Sequence, residues 1–214
     1  MRRRYDLVLI GTVHRDPRGE GALLEMLEEE RPEIVTVEVS PYSLRFRQRH
    51  RELLAKPDLP AEVREFLRLP FEYRAAKRYG TRHRVPVLPL DLCLTSRKYL
   101  HRAGELLKGK SILSTREPPL EEALAREYAL AKRCWSDPKL AKAILKGRDL
   151  RRERALAKRI LQILRHHPNK KVVHVGGWTH MLQIPGSMYQ LISDLNPRRK
   201  LLKPAACRQG IDIP

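Results

Sequence analysis

Two short apolar segments that end in glycine most constrain the fold of this chain. The first, YDLVLI at residues 5–10, is followed by Gly11, and the second, KVVHV at residues 171–175, is followed by Gly176 and Gly177. Each has the length and the apolar character of a buried β-strand. Because glycine lacks a Cβ atom, the backbone can turn sharply where each strand ends. These segments predict a fold built on a β-sheet.

The segments between these two strands predict that the sheet is parallel. A helical pattern at about residues 22–30 follows the first strand, and the β-branched segment EIVTVEV follows at residues 33–39. About 28 residues separate the two strand starts, which is typical of a βαβ unit with parallel strands. VPVLPL at residues 85–90 predicts a third strand, irregular or at an edge because of its two prolines.

The remaining segments are basic and helical in pattern. We therefore expect an α/β fold with a mainly parallel central sheet of four to five strands, flanked by helices, in a single domain over residues 1–214. The helical insertions are expected at about residues 42–80, where Gly80 is expected to cap the second helix, and at about residues 95–167. The tail from residue 201 is expected to form a short strand or a loop.

Composition excludes several classes of protein. Hydrophobic residues make up 42% of the chain and charged residues 32%, as in a soluble globular protein. No apolar run approaches the roughly 20 residues that span a bilayer, and the N-terminal apolar stretch is too short for a signal peptide, so a cytoplasmic location is expected. Cys93, Cys134 and Cys207 form no CxxC pair, which argues against a disulfide framework or a thiolate zinc site.

The formal net charge of +19 is the strongest bulk feature of the sequence. Clustered Lys and Arg side chains bind nucleic acids by releasing counterions from phosphates. The basic residues are spread over many helices, however, and aromatic residues make up only 6% of the chain, too few for an evident base-stacking surface. A solvated basic surface and weak nucleic-acid binding both stay open.

Four polar side chains follow the predicted strands at the points where these end. His14 closes the motif GTVH after the first strand, and His180 closes GWTH after the fourth. Glu38 falls at the end of the second strand and Asp91 just past the third. Because the carboxyl ends of parallel strands meet at one edge, we expect these side chains to share a ligand-binding crevice. Taken singly, each could also be an ordinary loop, edge or helix-capping residue.

Two kinds of chemistry suit such a cluster. A carboxylate beside an imidazole fixes its tautomer and raises its basicity, so His14 with Glu38 would act as a general base. The set His14, Glu38 and His180 would also suit a divalent metal such as Zn, Mn or Co that carries a nucleophilic water. The sequence contains no HExxH motif, so the prediction of a metal depends only on the expected convergence of these side chains at one edge of the sheet.

A charged triplet, Arg152-Glu153-Arg154, opens the predicted amphipathic helix near residue 151. A glutamate in the first helical turn is favourable to the helix dipole, which would be its structural role. In a functional role, Glu153 or Arg154 would reach the site and hold an anionic group of the substrate.

Read together, GTVH, VEVS, PLDLCLT, RRERALAKRI and VVHVGGWTH resemble the TraB/PrgY/GumN family, which is related to the Tiki proteins, the erythromycin esterases and the ChaN-like proteins. The resemblance extends from about Leu7 to Ile184. It implies an α/β fold with added helices and a site of histidines and acids. Tiki proteins are described as metal-dependent proteases, and erythromycin esterases hydrolyse a lactone with a His–Glu arrangement.

The resemblance also implies roles for individual residues and shows departures. The matching positions in this sequence are His14, Glu38, Asp91, Glu153, Arg154 and His180. The family often has an aspartate where Ser40 stands and an arginine where Leu92 stands, and its arginine beyond the second strand is best matched by Arg45. Thr12 of the first motif is expected to contact the substrate, together with Glu153, Arg154 and Arg45.

The sequence predicts, first, a hydrolase of a peptide, ester or other acyl bond, acting on a peptide or small acyl substrate with or without a metal. The alternatives are a non-catalytic peptide-binding regulatory protein and a basic nucleic-acid-associated protein. A homodimer is compatible with all three.

Overall fold

A five-stranded sheet in which all paired strands run parallel forms the centre of the molecule. The computed structural model describes residues 5–59, 63–64, 67–93, 97, 100, 119–144 and 149–203. The strands are β1 (Leu7–Thr12), β2 (Ile34–Val37), β3 (Val87–Pro89), β4 (Val172–Gly177) and β5 (Arg198–Leu201), in the order β3-β2-β4-β1-β5.

Seven α-helices lie within the described residues, and the predicted α/β class is confirmed. They are α1 (Gly19–Glu30), α2 (Pro41–Arg49), α3 (Phe71–His83), α4 (Leu120–Ser136), α5 (Pro138–Ile144), α6 (Leu150–His166) and α7 (Met188–Leu191). Short 3₁₀ helices are formed by Arg51–Ala55, Trp178–Met181 and Ser193–Leu195. No helix in the described parts of the chain is long and apolar enough to cross a membrane.

The central strands are apolar on both faces because helices cover both faces of the sheet. Side chains of a strand alternate between the faces, so Val8 and Ile10 pack with α1 and α3 on one side. Leu7 and Leu9 pack with α6 on the other side. All six residues of β1 and all six of β4 are buried, which places the two glycine-ended strands at the middle of the core.

The strand predictions hold in position but not in length. β1 and β4 each continue two residues further than predicted, so Gly11, Gly176 and Gly177 lie within the strands and not at sharp turns beyond them. The second and third strands are shorter than predicted. β2 ends at Val37, so Glu38 lies one residue beyond the regular strand. The two prolines in the third segment confine β3 to three residues, Val87–Pro89. β5 forms at Arg198–Leu201, just where the predicted tail begins.

The predicted end of α3 is wrong. The helix continues past Gly80 to His83, and Arg84, at a φ of 56°, takes the left-handed conformation that ends it. Gly80 is required for a different reason, because a Cβ atom on it would lie 2.6 Å from the carbonyl oxygen of Val85 and 2.6 Å from a methyl group of Val87. The missing side chain lets the start of β3 pack directly on the helix.

The predicted helical insertions are partly within the described residues. α2 and α3 belong to the first, and α4, α5 and α6 to the second. Residues 101–118 and 145–148 of the second insertion, and Cys207 in the tail, lie outside the described residues.

Replacing Gly80 by alanine should destabilise the protein by about 2 kcal/mol, because backbone and a packed valine must move to admit the methyl group. Gly21 in α1 is the matched control, since an added Cβ there meets nothing within 4 Å. Gly21→Ala should stabilise by about 0.5–1 kcal/mol through helix propensity. Urea unfolding of the two variants measures both changes, and a Gly80→Ala variant as stable as Gly21→Ala would contradict this packing.

Candidate active site

The carboxylate of Glu38 lies at the centre of a buried polar cluster at the carboxyl edge of the sheet. Its Oε2 atom accepts a hydrogen bond of 2.7 Å from the backbone N–H of Gly177. Its Oε1 atom lies 3.1 Å from Nε2 of His180 and accepts a short hydrogen bond from the Arg152 guanidinium. Three donors from two other segments therefore surround one acid.

The glycine pair at the end of β4 is required by this packing. A Cβ atom on Gly176 would lie 2.5 Å from Oε2 of Glu38. A Cβ atom on Gly177 would lie 2.8 Å from Nε2 of His14. The missing side chains thus allow a carboxylate and an imidazole to approach the β4 backbone closely.

His180 is buried on the 3₁₀ helix that follows β4, and carboxylates bond both of its nitrogens. Nδ1 lies 2.8 Å from Oε1 of Glu153, and Nε2 faces Glu38. Burial opposes the charged form, but Glu38 and Glu153 outweigh this effect and raise the pKa of His180 to about 9. At neutral pH the side chain is therefore an imidazolium that donates from both nitrogens.

Arg152 joins two of the strand-end acids. Nε and Nη2 donate to the two carboxylate oxygens of Asp91, each at 2.9 Å, and Nη2 also donates to Glu38. Such paired contacts match the planar fork of a guanidinium. The Asp149 side chain caps α6 by accepting from the N–H groups of Arg151 and Arg152, which fixes the start of the helix.

The charges of this cluster keep Glu38 ionised. Burial alone would raise the pKa of the Glu38 carboxyl, but the positive charges of His180 and Arg152 hold it well below its usual range. The cluster is therefore a set of compensated charges in a buried position.

The structure brings Glu153 into the cluster but not Arg154. Glu153 is buried and its Oε2 atom accepts a hydrogen bond of 2.7 Å from the Met188 N–H, so it also holds the start of α7. Arg154 is exposed, because a residue two positions after Arg152 points about 200° away around the helix. Arg154 is therefore not brought into the cluster, and Arg152 is the arginine that contacts its acids.

The partner of His14 is Glu72, not Glu38. Nδ1 of His14 lies 2.6 Å from Oε1 of Glu72, which comes from the first turn of α3. The His14 side chain is 52% exposed and that of Glu72 only 5%, so the imidazole lies at the solvent side of a buried acid. Burial of the site opposes protonation, but Glu72 and, more weakly, Glu38 raise the pKa of His14 to about 9.

The two other predicted substrate contacts have different positions. The Thr12 hydroxyl is buried, 2.9 Å from Oε1 of Glu72 and 3.1 Å from the carbonyl oxygen of Gly176, so it supports the acid that holds His14. Arg45 is exposed on α2 and is not brought into the cluster. Of the predicted residues, the structure thus assembles His14, Thr12, Glu38, Asp91, Glu153 and His180.

Two functional residues were missed by the sequence reasoning. Arg152 could have been found, because it precedes Leu156 and Ile160 by four and eight positions and so lies on the buried face of α6. Glu72 carries the same signal, because it precedes Ala75, Ala76 and Tyr79 by three, four and seven positions and so lies on the buried face of α3.

A metal at His14, Glu38 and His180 stays a prediction, and it would have to displace existing hydrogen bonds of His180 and Glu38. Both nitrogens of His180 and both oxygens of Glu38 already have protein partners, and the Arg152 guanidinium supplies the positive charge between the acids. Within the ranges that the structure describes, no three His, Cys, Asp or Glu side chains form a metal-binding group. No step below uses a metal.

Comparison with models of known protein families, with curated proteins and with solved structures finds no match to this chain. The resemblance to the TraB/PrgY/GumN family therefore stays a prediction from the motifs.

Removal of the Arg152 guanidinium should destabilise the fold strongly. Arg152→Met leaves the buried acids Glu38 and Asp91 without the cation that they share, which is expected to lower the free energy of unfolding by about 3 kcal/mol. Arg154→Met removes the same charge from the exposed face of the same helix and should change it by less than about 0.5 kcal/mol. Equal effects of the two substitutions in urea unfolding would contradict the assigned pairing.

The imidazolium of His180 predicts a pH dependence of stability. A histidine whose pKa is raised on folding stabilises the protein fully below its unfolded pKa of about 6.5, and this contribution is lost as pH rises through the folded pKa of about 9. The free energy of unfolding should therefore fall between these pH values. In His180→Asn the fall should be smaller, with the remainder due to His14, and an unchanged slope would refute the assignment.

Proposed function

We propose that this protein hydrolyses an acyl bond, in a peptide or an ester, with His14 as the general base. The observation that carries the proposal is the 2.6 Å contact between Nδ1 of the half-exposed His14 and the buried Glu72 carboxylate. A carboxylate in this position orients an imidazole and stabilises the charge that the ring gains when it takes a proton.

The proposed reaction uses the second ring nitrogen of His14. With Nδ1–H donated to Glu72, Nε2 of the neutral ring takes a proton from water while the water oxygen bonds to the acyl carbon. The proton then passes to the leaving alcohol or amine as the acyl bond breaks, which returns the neutral ring. Nε2 lies beside the backbone of Gly177 at the end of β4, so the acyl group would pack against this glycine.

The buried cluster would fix the wall of this site. Arg152, His180 and the acids that bond them hold one another in place, so a substrate would meet a rigid, charged surface. The resemblance to the TraB/PrgY/GumN family supports hydrolysis of a peptide or ester in general terms, and the cytoplasmic location predicted from the sequence belongs to the same proposal.

A non-catalytic peptide-binding protein is the second candidate. The raised pKa of His14 supports this candidate, because His14 is protonated in most molecules at neutral pH. A protonated imidazole would bind a carboxylate or a carbonyl oxygen rather than take a proton.

Nucleic-acid binding is the third candidate, and an exposed groove supports it. The groove, of about 480 Å³, runs along α3 and is lined by Leu69, Tyr73, Arg74, Lys77, Arg78, Thr81 and Arg82. Glu20 and Glu28 pair with Arg74 and Arg82, which leaves Lys77 and Arg78 as the cations of the groove without an acidic partner among the described residues. Binding that weakens steeply with salt would support this candidate.

Hydrolysis of p-nitrophenyl esters and of fluorogenic peptides tests the first proposal. His14→Gln and Glu72→Gln should each lower kcat/KM by about 10²–10⁴-fold, and the wild-type rate should rise with pH up to the pKa of His14 near 9. His166→Gln is the matched control, because that imidazole is exposed on α6 and bonds only a backbone carbonyl of its own helix.

The other outcomes separate the candidates. Saturable peptide binding without turnover would favour the peptide-binding protein. Loss of turnover on treatment with EDTA, restored by Zn, Mn or Co, would show that the reaction requires a metal, and would contradict the metal-free reaction proposed for His14.

A further inference from the structure

A third histidine, His174, lies in the middle of β4 and has no exposed surface. Its Nδ1 atom lies 2.9 Å from the hydroxyl oxygen of Thr36 on β2. Its Nε2 atom has no hydrogen-bond partner within the described residues, and no other buried side-chain nitrogen or oxygen there is in this position. Unpaired buried polar groups destabilise a fold and are uncommon in native structures.

The unpaired nitrogen lies next to the active-site acid. A Cβ atom on Gly176 would be 3.2 Å from Nε2 of His174 and 2.5 Å from Oε2 of Glu38. Nε2 of His174 and Oε2 of Glu38 thus both lie close to the same position on Gly176. Because Gly176 has no side chain, one small polar atom can hydrogen-bond to both of them. The charge of Glu38 also acts on the His174 ring.

The protonation state of His174 follows from its surroundings. Burial lowers the pKa of His174 to about 4, against the opposing effect of Glu38, so the ring is neutral at physiological pH. The Glu38 carboxylate lies on the Nε2 side of the ring, so we assign the proton of the neutral ring to Nε2. In this tautomer Nδ1 accepts a hydrogen bond from the Thr36 hydroxyl, 2.9 Å away.

An apolar residue would suit position 174 better if packing were its only role. The neighbours Val172, Val173 and Val175 are all fully buried in the core. A polar residue that breaks such a local pattern without a complete set of partners marks a functional position.

We propose that His174 is a positioning residue for Glu38. Its Nε2–H donates to Oε2 of Glu38 through one small polar atom, a water or a ligand hydroxyl, and so completes the set of donors that fixes the carboxylate. The role in catalysis rests on the proposed function, but the role in holding Glu38 does not.

The double variant Thr36→Val/His174→Leu tests this proposal, because it replaces both polar partners by apolar groups of similar size. Neither Thr36 nor His174 is left as an unpaired partner of the other, and Glu38 keeps its donors from Gly177, Arg152 and His180. The variant should therefore fold, with an unfolding midpoint close to or slightly below that of the wild type. His180 reports on Glu38, because the two are in contact at 3.1 Å. In a ¹H–¹⁵N NMR titration, the pKa of His180 should fall by about 0.5 or more in the double variant, since a less fixed Glu38 stabilises the imidazolium less.

Turnover of the p-nitrophenyl esters provides the second measurement. In the double variant kcat should fall about 10-fold with KM unchanged, because a displaced Glu38 carboxylate would affect the transition state more than substrate binding. In His174→Gln the side-chain amide can still donate toward Glu38, so the pKa of His180 and kcat should stay close to the wild-type values. In His174→Leu both should fall.

An unchanged His180 pKa in a folded double variant would overturn the proposal and leave His174 as a packing residue. Failure of the double variant to fold would also overturn it, because position 174 would then need the imidazole for stability. A shifted His180 pKa in a protein without any esterase or peptidase turnover would support the positioning role and reject the proposed function.

Discussion

The buried charge of Glu38 is the constraint on which the arrangement of the site depends. A carboxylate removed from water is unfavourable unless opposite charge and hydrogen-bond donors surround it. The Gly177 N–H, the Arg152 guanidinium and the His180 imidazolium meet this need. The two cations in turn bond further acids from the end of β3 and from α6. One charge at the end of β2 thus fixes the relative positions of three other elements.

The order of the strands explains which residues the glycines at the end of β4 contact. β4 lies between β2 and β1, so its end faces Glu38 on one side and His14 on the other. Any side chain at Gly176 or Gly177 would occupy the space that these two groups fill. The repeated glycine–histidine motif therefore has different causes in its two copies. In the second copy the glycines make room for residues that come from other strands.

The fold and half of the site could be predicted from the sequence, because both follow from local patterns. The apolar segments and their spacing predict parallel strands, and parallel strands bring His14, Glu38 and His180 to one edge. The partners of these residues are harder to predict, because they come from helices distant in the sequence. Periodicity places Glu72 on the buried face of α3, but nothing in the sequence indicates that it contacts His14, 58 positions away. Periodicity also places Arg152 on the buried face of α6, whereas the expected anion clamp was Glu153 or Arg154. The lack of a partner for a buried imidazole in an apolar strand is visible only in three dimensions.

The two histidines of the repeated motif have opposite environments, and this difference decides which of them can react. His180 is bonded at both nitrogens, so it cannot accept or release a proton without breaking a buried ionic hydrogen bond. His14 has one carboxylate partner and is half exposed, which leaves its Nε2 side available to water or substrate. The charges of the buried cluster still act on it, since Glu38 raises the pKa of His14 and the His180 imidazolium lowers it. The buried imidazole therefore holds its two carboxylate partners in place, and in the proposed reaction the proton transfer is assigned to the exposed His14.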